Sequence, residues 1–148
     1  MYCAELCEYS ARGGKKMIGS NAFNYINVLN KAADASWKRN EVIANNIANN
    51  DTPNYKRKDI KFQDYLKGEL MKDYWDGGDL NKRVANVDLS KLETTLYTDQ
   101  QELSYRLDGN NVDINTENAN LAENTIMYYT LLDSMSQEFS RIKTVLSS

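Results

Sequence analysis

Near the C-terminus, Leu121, Thr125, Tyr128, Leu132, Met135, Phe139, Ile142 and Leu146 follow a strict 4-3-4-3-4-3-4 spacing. Residues at those steps share one face of an α-helix, so the segment predicts a long helix with a coiled-coil seam. Thr125 is its one polar member. Asp113, Asn115 and Thr116 mark the start, where capping side chains are favoured, and Glu117 and Glu123 suit the positive end of the helix dipole. Tyr129, Leu131 and Val145 lie off the seam, which leaves apolar surface beyond what one partner helix covers.

A second long helix is expected near the N-terminus, opening at Ser20 or Asn21, both good cap residues. Ile26, Leu29, Ala33, Trp37, Ile43 or Ala44, and Ile47 recur at helical steps and form its apolar face. Asn40 falls on the same stripe, where a buried amide fixes register between helices while lowering stability. The helix should stop around residues 49–51, because Pro53 disfavours helical geometry at Thr52. Its end is rich in amides: Asn45, Asn46, Asn49 and Asn50 stand where a core helix carries leucines. Asn46, Asn49 and Asn50 are therefore expected to bond across the turn or to a neighbouring subunit, with local capping as the competing explanation. Each helix covers about 30 residues, or roughly 45 Å. So thin a pair gains stability from neighbours.

Between the helices, Lys56-Arg57-Lys58-Asp59-Ile60-Lys61 is a basic run, either a strip for an acidic partner surface or a solvated face. Phe62, Tyr65, Leu66 and Leu70 predict a short amphipathic helix before the turn signal Asp76-Gly77-Gly78-Asp79. The pattern from Leu80 to Gln101 is weak, so mobility is expected in the isolated chain. Leu103 to Leu107 alternates as a short strand or extended arm does. Asp108-Gly109-Asn110-Asn111-Val112-Asp113 is a turn leading into a helix cap; its glycine is misplaced for a calcium loop. The fold class is mainly α: long N- and C-terminal helices pairing as a coiled-coil-like hairpin, with a mostly irregular middle and room for short strands. Residues 17–58 with 104–148 make a discontinuous helical unit, 59–103 a variable and partly mobile middle, and 1–16 a disordered extension with Met17 as the functional start.

Chemistry is sparse. The net charge of -3 sets the chain apart from the distinctly basic nucleic-acid binders. No apolar run approaches the roughly 20 residues that span a bilayer, and the first residues show no secretory-signal pattern. Cys3 and Cys7 without any histidine do not make a zinc ligand set, so neither metal nor cofactor is expected. The missing histidine also removes the commonest general base, and Gly13-Gly14-Lys15 lacks the rest of a phosphate loop. The chain is not expected to be an enzyme. A helical coiled-coil module binding one soluble partner is the plainer alternative to an assembly subunit.

The stretch Ala44-Asn45-Asn46-Ile47-Ala48-Asn49-Asn50-Asp51-Thr52-Pro53-Asn54-Tyr55 resembles the N-terminal signature of bacterial flagellar rod, hook and hook–filament junction proteins. That pattern usually runs Ala-Asn-Asn-Ile-Ala-Asn, two variable residues, then Thr-Pro-Gly-Tyr. Asn54 replaces the usual glycine, and asparagine tolerates left-handed backbone better than other non-glycine residues. Ser20-Asn21-Ala22-Phe23 and Leu121-Ala122-Glu123-Asn124-Thr125-Ile126-Met127-Tyr128-Tyr129 are similar to the short proximal-rod branch of that family. The resemblance covers residues 17–70 and 104–148, with 17–58 and 104–148 as the rod core.

It implies a structural subunit of the basal-body rod, connecting the membrane ring to the hook and transmitting torque. It also implies export by the flagellar type III apparatus and helical hetero-assembly with other rod proteins, the rod–ring adaptor FliE and the membrane ring. The location would be outside the inner membrane, in the periplasm where an outer membrane exists. Subunit contacts would fall on the helical stripes and the signature: Ile26, Leu29, Ala33, Trp37, Ile43, Asn46, Ile47, Asn49, Asn50, Pro53, Tyr55, Leu121, Tyr128, Leu132, Met135, Phe139, Ile142 and Leu146.

Overall fold

The structure is a computed structural model that describes residues 20–72, 79–99 and 108–147. The expectations for Cys3 and Cys7, for residues 1–16 and Met17, for Asp76-Gly77-Gly78 and for Leu103 to Leu107 lie outside the described residues. The elements in chain order are α1 (Ser20–Ala48), β1 (Lys58–Lys61), α2 (Gln63–Met71), α3 (Leu80–Ala85), β2 (Thr95–Thr98) and α4 (Ile114–Leu146). The protein is mainly helical, and its two long helices, of 29 and 33 residues, pack against each other. They are antiparallel: Asn46, late in α1, meets Glu117, early in α4, while Ser36 meets Asn124.

The repeat that faces α4 is offset from the expected stripes. On α1 the buried positions are Ile26, Leu29, Ala33, Ser36 and Ile43, with half-buried Asn40 completing the spacing. Trp37, expected on this face, is 62% exposed. The reason is local. Ser36 Oγ lies 3.3 Å from the Asn124 backbone carbonyl, so the two helices approach too closely there for an indole. On α4 only Glu117 and Asn124 are buried, and Leu121, Tyr128 and Leu131 are half-buried around them. Asn124 therefore takes the place of Thr125, whose hydroxyl bonds back to the Leu121 carbonyl at 2.7 Å. Asn124 Nδ2 donates to Ser36 O and Asn40 Oδ1, both at 2.8 Å, and its Oδ1 accepts from Ser36 Oγ at 3.1 Å. This is the register-fixing role expected of Asn40, carried out by a mutually satisfied polar layer.

α1 carries a second buried stripe. Val28, Ala32 and Ala35 bury against Phe62, Val87 and Leu92, with Ile60, Leu66, Leu70 and Val84 packed around them. Burial of each large apolar member contributes about 1.5–3 kcal/mol. The stripe gives the middle of the chain a packed anchor on α1. Over the described residues 80–99 it forms α3 and β2, anchored at Val87 and Leu92. β2 pairs antiparallel with β1, Lys58 opposite Thr98 and Lys61 opposite Thr95. Asn24 of α1 donates to the Ala85 carbonyl at 2.6 Å, satisfying one of the orphan carbonyls that a helix end leaves.

Asn124→Ala should lower stability by about 1–3 kcal/mol in denaturant unfolding, because it strands Ser36 and Asn40 in the interface. Thr125→Ala should cost well under 1 kcal/mol, about the scale of a surface substitution. Equal costs at the two sites would contradict this placement of the helix interface.

Candidate functional site

The amide-rich end of α1 turns one of its amides, Asn46, into the chain's own interior. After Ala48 the backbone tightens through bonds from Asn50 N to Ile47 O, Thr52 N to Asn49 O and Tyr55 N to Thr52 O. Pro53 is exposed within this turn, and Asn54 follows at φ 58°, the left-handed geometry expected for the residue that replaces glycine. A second turn docks on the first. Asn54 N donates to Asp108 O at 3.0 Å, and Lys56 Nζ to Gly109 O at 2.8 Å. Gly109 sits at φ 76°, a left-handed geometry that favours glycine, and a Cβ there would meet the tip of the Asn54 side chain, Oδ1, at 2.8 Å.

Asn110 then closes α1. Its fully buried amide reaches the carbonyls of Asn49, Asn50 and Thr52 at 3.0, 2.8 and 3.0 Å, while its Oδ1 accepts from Val112 N at 2.8 Å. Asn111 works alongside, accepting from Arg57 N at 2.7 Å and donating to Asp99 O at 3.2 Å. Asp113 caps α4 as expected, accepting from Asn115 N at 3.0 Å and Thr116 Oγ1 at 2.7 Å. The Thr116 hydroxyl and Asn115 amide bonds lower its carboxyl below the usual range.

Asn46 is wholly buried and uses its full hydrogen-bonding capacity. Nδ2 donates to Lys58 O at 2.8 Å and Glu117 Oε2 at 2.9 Å; Oδ1 accepts from Lys58 N at 3.0 Å and Tyr55 Oη at 3.3 Å. Glu117, 1% exposed, also accepts from Arg57 Nε at 2.6 Å. Arg57 continues to Asp59 Oδ2 at 2.9 Å, and Arg39 meets Asp59 Oδ1 at 3.0 Å. Asp99 lies 3.9 Å from the Arg57 guanidinium. Burial works against the Arg57 charge, but Glu117 and Asp59 outweigh it and push the pKa up, so the guanidinium stays charged. Burial likewise works against the Asp59 charge, but bonds from Arg39, the Ile60 amide and Arg57 hold its carboxyl below the usual range. Burial, with the Glu117 charge second, raises Tyr55.

The basic run is thus partly an interior network. Of the amides expected to bond across the turn or to a neighbour, Asn46 bonds across the turn. Asn49 Nδ2 bonds locally to Asn45 O at 2.7 Å, and the Asn49 and Asn50 carbonyls receive Asn110. Asn110, Asn111 and Glu117 are the partners that sequence reasoning did not pair with the signature. The available signal was a second amide pair beside a glycine, directly before a helix cap.

The stripe residues divide between interior and surface. Ile26, Leu29, Ala33 and Ile43 are buried within the chain, so in the single subunit their contacts are internal. Ile47, Tyr55, Leu121, Tyr128, Leu132, Met135 and Ile142 are half-buried. Trp37, Phe139 and Leu146 are exposed, the last by 81%. Trp37 and Tyr128 rings lie 6.1 Å apart, and Leu132, Met135 and Phe139 line an open groove on α4 with Ser136, Ser140 and Lys143. Among the described residues no acidic or thiol cluster is arranged to hold a metal, and no helix is long and apolar enough to cross a membrane.

The family model described as "Flagella basal body rod protein" matches residues 26–56, the stretch that holds most of α1 and the turn. A Bacillus subtilis (strain 168) protein, "Flagellar basal body rod protein FlgB", is 37% identical over 128 residues, spanning 82% of this chain and 91% of that relative. The chain belongs to the flagellar basal body rod protein family. An Escherichia coli (strain K12) protein of the same description is 35% identical over 127 residues, covering 80% of this chain and 89% of its own length. One from Borrelia hermsii is 29% identical over 136 residues, covering 82% and 94%. Membership of this rod family makes the chain a structural subunit of the flagellar basal body, associated with other rod components, in a family that is not one of enzymes.

The Asp59 shift gives a pH dependence with a definite sign. A carboxyl whose folded pKa is depressed contributes stability above its unfolded value of about 3.9 and loses it as pH falls through the folded value. Denaturant midpoints should be flat above pH about 5 and fall below about 4. Asp59→Asn should be less stable at neutral pH, with a shallower acid slope. A midpoint that rises on acidification would contradict the network.

Proposed function

We propose that the chain builds the proximal segment of the rod, polymerising with other rod proteins into a helical structure that joins the membrane ring to the hook and transmits torque. The adaptor FliE and the membrane ring are its neighbours at the base. The flagellar type III apparatus exports it to a site outside the inner membrane, periplasmic where an outer membrane is present. Residues 17–58 with 104–148 act as the rod core and 59–103 as the variable middle.

The observation that carries this reading is apolar surface on a helix pair whose polar groups are already satisfied internally. Trp37, Tyr128, Leu132, Met135, Phe139 and Leu146 are the stripe members left for neighbours, while Asn46 and its partners hold the subunit's shape. Head-to-tail contacts between unlike patches generate an open helix, the geometry a rod needs. Export in an unfolded form suits a subunit this thin, whose stability rises when partners bind the folded state.

Replacing two exposed members, Phe139→Ser with Leu146→Ser, should leave the isolated protein's circular dichroism and denaturant midpoint nearly unchanged, within about 0.5 kcal/mol. The same pair in the chromosomal copy should abolish or strongly reduce swimming, with the protein still synthesised and exported. Swimming cells with complete rods would overturn the assignment of assembly to this stripe.

A further inference from the structure

We infer that residues 46–58 and 108–117 form a single all-or-none latch, opening and closing as a unit separate from the distal end of the helix pair. Each half completes buried groups of the other. The Asn110 amide finds its acceptors in the carbonyls of Asn49, Asn50 and Thr52, 58 to 61 residues away, two of which also receive a bond within their own turn. The Glu117 carboxylate finds its partners in Arg57 and Asn46. The Arg57 backbone amide finds Asn111. Releasing one side strands buried polar groups on the other, so half-open states are disfavoured and the two segments act together.

The far end of the helix pair is held differently. Beyond Asn124, the α4 hydroxyls of Thr125, Thr130, Ser134, Ser140 and Thr144 each bond a carbonyl four residues back in their own helix, at 2.7–2.9 Å. They do not reach across to α1. Val145 and Leu146 are 77% and 81% exposed. Cross-helix polar bonding is therefore concentrated at one end, and the distal half of α4 can shift without opening the latch. The device holds one end of the subunit fixed and leaves the other adaptable.

The test is native-state hydrogen exchange on the full chain at neutral pH, across sub-denaturing concentrations of urea. Amides in 46–58 and 112–118 should share one opening free energy and one urea slope, and amides in 135–146 should exchange faster with a smaller slope. Gly109→Ala puts a side chain on a residue held at φ 76° and so strains the turn without changing any charge. It should speed exchange in both latch segments by the same factor, about tenfold or more, and leave 135–146 unchanged. Different urea slopes for the two segments in the unmodified protein would overturn the inference, as would one slope shared by every protected amide. So would a Gly109→Ala effect confined to 108–113. The unmodified-protein measurement decides the matter even if the variant does not fold.

Discussion

A carboxylate almost completely removed from water, Glu117, sits between the Arg57 guanidinium and the Asn46 amide, and the arrangement of both long helices depends on it. A buried charge without partners costs several kcal/mol, about 3–5 when one member of a pair is removed. Burying Glu117 in the first turns of α4 therefore requires Arg57 and Asn46 to be in place. That requirement fixes where the chain re-enters after α1, the path of β1 and the point at which α4 crosses α1. The rest of the network extends the same constraint to Asp59, Arg39 and the β-hairpin.

The molecule then divides polar and apolar work between the two ends of its helix pair. Near the turn, Asn46, Arg57 and Glu117 match one another inside the subunit, while residues 51–54 stand exposed. Along the distal half of α4, hydroxyls satisfy their own helix and apolar side chains stand open. A subunit of a rod needs both properties. Rigid internal geometry transmits force, and an unspent apolar face gains stability only when neighbours cover it. The internal polar junction also gives one residue of the family signature a physical meaning: the Asn46 amide ties α1 to β1 and α4.

Much of the fold was legible in the sequence because long helical periodicity is a strong signal. α1 ends at Ala48, one residue before the expected range, and Asp113 caps α4. Asn54 takes the left-handed geometry its position suggested. The exact interface was less legible. A 4-3 pattern identifies a face to within about one residue, and Ser36 and Asn124 displaced Trp37 and Thr125 because small or mutually bonding groups fit where the helices come closest. The second buried stripe of α1 is hidden in the sequence because Val28, Ala32 and Ala35 overlap the first in the same short stretch. Their partners, Phe62, Val87 and Leu92, lie far along the chain.

The sequence by itself determined the two long helices, the turn that closes the first, the amide-rich signature and a composition without histidine. These follow from local properties: periodicity, capping residues, a single proline and composition. Only the tertiary structure decided that Asn110 closes α1, that Glu117 is the ion that Arg57 and Asn46 enclose, and that Trp37 faces outward. Hydrogen bonds between residues about 60 positions apart depend on where the backbone returns, and no local pattern encodes that path.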